Sequence, residues 1–131
     1  MSGTDQLSAA LRDEGGLLAD ALRDEQPSDE ALLAAVPAGP HALALAAVRE
    51  AYLLHYGEGR VLDADDAVLA LLGGDRLYAL ALAELAALGD LDAIAALAEL
   101  ISDCARAHAE GDEAAAAAAW ETAAGAFARR A

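Results

Sequence analysis

The chain has no lysine and no asparagine, a single cysteine, three prolines and only five aromatic residues among its 131 positions. Each shortage excludes something. Eight arginines, with no basic run longer than Arg129-Arg130, face 23 acidic residues, and the net charge is −15. Such a field repels phosphate backbones and anionic lipid headgroups, so neither nucleic acid nor an anionic membrane surface is expected as a partner. The lone Cys104 cannot close an internal disulfide, which removes cross-linked secreted scaffolds from consideration. The opening residues, MSGTDQLSAALRDE, place acids where a signal peptide needs a basic and then an apolar stretch, and the chain is read as cytoplasmic. The longest uncharged stretch, 18 residues from Ala31 to Val48, is interrupted by Pro37, Gly39 and Pro40, so no membrane span is expected.

What is present is helix-forming and apolar. Alanine (39 residues) and leucine (23) lead a composition that is 57% hydrophobic, enough to fill a core, and the length fits one domain over residues 1–131. Strand-favouring residues are few: Val36, Val48, Val61, Val68, Ile94, Ile101 and two threonines besides the aromatics. The expected fold class is all-α, a single-domain bundle of about six helices.

Leu7, Leu11, Leu18 and Leu22 fall on one stripe of a first helical segment, which Ser2 or Thr4 can cap. Gly15-Gly16 weakens its middle and leaves open whether residues 1–25 form one helix. Ala-Leu-Arg-Asp-Glu occurs at 10–14 and again at 21–25, three helical turns apart, so both copies would face the same way. A short helix with Ser28 as its cap is expected before Pro37, and a third helix from Pro40 to about Tyr56. Asp63 or Asp65 can cap a fourth, which runs through Gly73-Gly74-Asp75 to Leu88. Between Leu77 and Leu88 its one charge is Glu84, so it is either the central helix of the bundle or half buried against another chain. Gly89 and Asp90 separate it from a fifth helix with a seam of Ile94, Leu97, Ile101, Cys104 and His108. Past Gly111-Asp112, a last, alanine-rich helix has Trp120 and Phe127 as its anchors and would fray easily alone.

Three constellations could carry chemistry, and each has a plainer reading. Asp63-Ala-Asp65-Asp66 fits an Asp-x-Asp-Asp string in which crowded carboxylates keep a proton available, but a cap with an acidic first turn favours the same residues. Cys104 and His108, at i and i+4, could share a metal or form a nucleophile pair. A four-ligand metal site finds no second cysteine, and no oxyanion element accompanies a nucleophile; a seam cysteine and a helix-end histidine are the reading adopted. Gly57-x-Gly59 and Gly73-Gly74 lack the strand-turn-helix setting and the lysine of a phosphate cradle. No catalytic residue, metal ligand or cofactor is therefore assigned to this chain.

The stretch VLALLGGDRLYALALAELA, residues 68–86, joins an apolar helical half to an Ala/Leu-rich half through Gly74-Asp75, with Tyr78 three residues on. It resembles the Gly-Asp-bearing helix of trans-polyprenyl diphosphate synthases, and GDLDAIAALAELISD resembles that family's next helix; the resemblance covers about residues 57–103. Catalytic members hold Mg²⁺ and an allylic diphosphate with two Asp-rich motifs, usually Asp-Asp-x-x-Asp. Here Asp65-Asp66 is followed by no third aspartate, there is no lysine, and the length is about half that of a catalytic subunit. The resemblance thus implies the short, non-catalytic small subunit of a heterodimeric synthase, which helps set activity and product chain length in isoprenoid biosynthesis. Mg²⁺ is then expected in the catalytic partner. Leu72, Leu77, Tyr78, Leu82 and Leu85 are the expected partner interface. The alternative is a helical adaptor or homodimer, unrelated to prenyl chemistry, that uses the same apolar surface.

Overall fold

A computed structural model describes all residues, Met1–Ala131. Seven helices follow one another: α1 (Gly3–Glu14), α2 (Gly16–Asp20), α3 (Ala31–Ala34), α4 (Pro40–Tyr56), α5 (Ala67–Leu88), α6 (Leu91–Glu110) and α7 (Glu113–Arg130). The all-α class is as expected. The first segment becomes two helices because Gly15 (φ 73°) and Gly16 (φ 80°) adopt left-handed backbone that residues with a Cβ avoid. Ser2 caps α1 by accepting from the Asp5 N–H at 3.1 Å, while Asp5 reaches back to the Ser2 N–H.

The second Ala-Leu-Arg-Asp-Glu copy corrects the repeat reading. Ala21 ends α2, and the chain turns extended, so that the Arg23 N–H bonds to Val61 and the Asp63 N–H to Ala21, both at 2.9 Å. Leu22 faces Leu62 in an isolated bridge and the two copies share no face. Ser28 caps nothing: Glu30 holds the cap position of α3 without a side-chain hydrogen bond, and the Ser28 carbonyl accepts from Arg60 at 2.9 Å.

The central helix is α4, which packs against α1, α3, α5 and α7 and buries residues around most of its circumference, from Ala42 to Leu54. Pro40 sits in its first turn, where a missing N–H costs little. α5 is not the central helix: one of its faces is buried in the bundle and the opposite one is exposed. Asp66, rather than Asp63 or Asp65, caps it by accepting from the Leu69 N–H at 2.7 Å. Gly73 and Gly74 lie mid-helix, because α4 and α2 come close there: a Cβ on Gly73 would sit 3.2 Å from Leu18, and one on Gly74 would clash with the edge of the His55 ring.

Two glycine-aspartate junctions build the rest. Gly89 (φ 69°) ends α5 and Asp90 caps α6 through the Ala93 N–H; Gly111 (φ 69°) ends α6 and Asp112 caps α7 through the Ala115 N–H. On α6 the buried line is Ala93, Leu97, Leu100, Cys104 and Ala107, with Ile94, Ile101 and His108 at its margins. Trp120 and Phe127 anchor α7 as expected, each side chain's burial being worth about 2–3 kcal/mol. Its end is held as well. Arg130 reaches Asp90 at 2.6 Å, and the same carboxylate accepts from His41 Nε2 at 2.8 Å, joining the first turn of α4, the start of α6 and the last turn of α7.

Candidate partner interface

The five residues expected at an interface divide by helical phase. Leu77 and Leu85 are fully buried in the core, which corrects their assignment to a surface. Leu72 (60% exposed) and Leu82 (38%) point to solvent. Tyr78 is partly buried, its ring edge-on to His55 at 5.5 Å, and burial pushes its hydroxyl above the usual phenol range. The reason lies in the glycines. Close approach at Gly73-Gly74 sets the inner line of α5 as Gly73, Leu77, Ala81 and Leu85, four residues apart, and the opposite line is turned outward.

That outer line is Val68, Leu72, Asp75, Ala79, Leu82 and Ala86, spaced 4-3-4-3-4 and exposed at every position. Asp75 is its one charge. Val68 (66% exposed) begins the line, and neighbouring Leu71 (56%) widens its apolar surface. Leu17, exposed, belongs to the segment beside the same helix: Leu18 packs on Gly73 and Glu14 pairs with Arg76 at 2.9 Å. Val68, Leu71 and Leu17 were not among the expected residues. Reading the two glycines as the mark of the buried side would have found the first two.

Most of the aromatic and histidine side chains gather elsewhere, along α4. The Tyr52 hydroxyl and His108 Nε2 share a hydrogen bond at 2.6 Å, and Tyr56 stacks on His108 with ring centroids 4.1 Å apart. Arg49 lies over the Trp120 ring at 4.8 Å and is held by both oxygens of Glu30, at 3.0 and 2.8 Å. The Glu30 carboxyl is lowered by that bond to Arg49. Cys104 is buried beside this cluster, and burial raises its thiol, the opposite of what a nucleophile needs. His108 is engaged with tyrosines, and no three His, Cys, Asp or Glu side chains come together in a metal-holding arrangement. Asp66 is spent on its cap, and Asp63 lies 3.9 Å from Arg23. No helix is long and apolar enough to cross a membrane.

A buried carboxylate escaped the sequence reading. Glu50, mid-α4 and 2% exposed, accepts from the main-chain N–H groups of Arg60 (3.0 Å), Val61 (3.1 Å) and Leu62 (3.0 Å). It holds the α4–α5 connection against the central helix, and so sets where the outer line of α5 begins. Burial raises its carboxyl above the usual range, against the downward pull of the three donors.

No family model, curated protein or solved structure matches the chain.

Proposed function

We propose that this chain is a non-catalytic regulatory subunit that pairs, in the cytoplasm, with a catalytic trans-polyprenyl diphosphate synthase chain and helps set its activity and product length. The observation that carries the reading is the outer face of α5: the helix with the family-like Gly74-Asp75 leaves Val68, Leu72, Ala79, Leu82 and Ala86 uncovered. An apolar helical line of that length is what an obligate partner covers. In this reading the partner supplies the diphosphate and Mg²⁺ sites, and this chain stabilises the partner's active form by packing α5 against it.

Affinity purification of the tagged protein from its native lysate, followed by mass spectrometry, tests the proposal. The expected result is a stoichiometric larger chain bearing two Asp-rich motifs, lost in Leu72→Asp and Leu82→Asp variants that keep the wild-type helical spectrum. Retention of that chain by both variants overturns the assignment to α5; its absence overturns the prenyl reading.

Self-association through the same line is the second reading, favoured by the exposed Val68, Leu72 and Leu82, which two antiparallel copies of α5 would cover for one another. Against it stands the like charge of −15 on each copy. A concentration-dependent dimer in sedimentation, dispersed by Leu72→Asp, would establish it.

A further inference from the structure

Away from α5, a second apolar feature runs between α6 and α7: an open trough of about 590 Å³. Along α6 it extends from Ala96 to Glu110 at three- and four-residue steps, about 21 Å at 1.5 Å per residue, or about four helical turns. Ala115, Ala118, Ala119 and Ala126 form the α7 wall. These side chains stop at Cβ and leave the space beside them unfilled, while Leu100, Ala107 and Ala123 seal the floor. Nothing in the chain fills the space. No α5 residue lines it, so the trough is separate from the face assigned above.

The two rims differ. The α6 rim carries Glu99, Asp103 and Glu110 against a single Arg106, which lies 3.7 Å from Asp103; the α7 side offers only the polar Thr122, whose hydroxyl is turned to its own helix through the Ala118 carbonyl at 3.0 Å. We infer that this trough receives an amphipathic helix of another protein, with bulky apolar residues at i, i+3 or i+4 and i+7 along the alanine wall and arginine or lysine on the flank that faces α6. Shape calls for a ridge of large side chains, because small ones would leave the space open. Charge selects the flank, because Asp103 has Arg106 beside it whereas Glu99 and Glu110 have no cationic partner, and a basic flank complements them where an acidic one would repel. A second copy fits poorly: its own exposed apolar helix carries Asp75 in mid-line and brings a charge of −15 with it. The inference does not depend on the prenyl reading.

The test uses the full chain and an 18-residue synthetic helical peptide with leucine at i, i+3, i+7, i+10 and i+14 and lysine on one flank, titrated by fluorescence anisotropy at near-physiological salt. Saturable binding is expected, at least tenfold weaker when the lysines are replaced by glutamate. Ala118→Trp, at an exposed position in the wall, should weaken it at least tenfold with an unchanged helical spectrum and unfolding midpoint; Ala115→Phe serves if the first variant does not fold. Leu72→Asp on α5 should leave it unchanged. Equal binding by the wall-filled variants means a diffuse attraction to an acidic surface and overturns the inference, as do equal binding of the glutamate peptide and the lack of saturable binding. A dimer of this chain that Ala118→Trp disperses overturns it too, by making a second copy the occupant.

Discussion

The carboxylate of Glu50 accepts the main-chain N–H of Leu62 at 3.0 Å in a site where Glu50 is 2% exposed, so one acidic side chain of the central helix takes the place of a strand partner for the chain segment that precedes α5. Gly59 lies so close that a Cβ there would come within 2.5 Å of the same carboxylate.

Glu50→Ala should therefore destabilise the fold by about 3 kcal/mol in urea unfolding, because Val61 and Leu62 are buried and their N–H groups would lose their acceptors. Glu50→Gln separates charge from geometry. Burial makes the folded carboxyl titrate above the usual 4.5 of a glutamate. The stability of the wild type relative to Glu50→Gln is thus greatest below about pH 4.5, declines as pH rises through the folded value, and is level above it.

Asp90 shows the opposite sign. Its carboxyl is held far below the usual range by Arg130 first and His41 second. Asp90→Asn keeps an acceptor for the Ala93 N–H, since asparagine caps as well as aspartate, but removes the charge. The wild type should have the higher Tm at neutral pH, and the difference should close as pH falls below 3.8, the usual aspartate value, toward the folded one.

Leucines along α5 should sort by face. Leu77→Ala, in the core, should cost about 2–5 kcal/mol by chemical denaturation. Leu72→Asp and Leu82→Asp should stay within about 1 kcal/mol of wild type, because their side chains already meet water. Loss of the fold in Leu72→Asp would contradict the outward orientation of that line.

Gly74→Ala should separate α4 from α5 and cost about 1–3 kcal/mol, since the added methyl meets the His55 ring. His55→Ala should give back most of that cost, and a double-mutant cycle reads the coupling directly.

Much of the helix order was legible because it rests on local chemistry. Pro40 at a helix start, and Gly89-Asp90 and Gly111-Asp112 as stop and cap, need only their immediate neighbours. Where tertiary pairing competes with local preference, the sequence misleads: residues 21–25 are good helix formers, yet Leu22 joins Leu62. The face of α5 was hidden for a different reason. A helix of leucine and alanine on all sides has no hydrophobic phase to read, and only its two glycines mark the inside. Glu50 carries no signature at all, because its three donors come from main chain ten to twelve residues away.

The two single-glycine turns also bear on how the molecule comes into being. α4, α5 and α6 each touch the next helix in the chain, and most of the helix packing joins elements consecutive in sequence. Small loops close quickly, and helical proteins built this way fold in microseconds to milliseconds. At micromolar concentration and an ordinary encounter rate of about 10⁶ M⁻¹s⁻¹, a partner arrives on the order of a second later. In the pairing proposed above, the outer face of α5 is then fully formed before it is met, and assembly would be the docking of a finished surface.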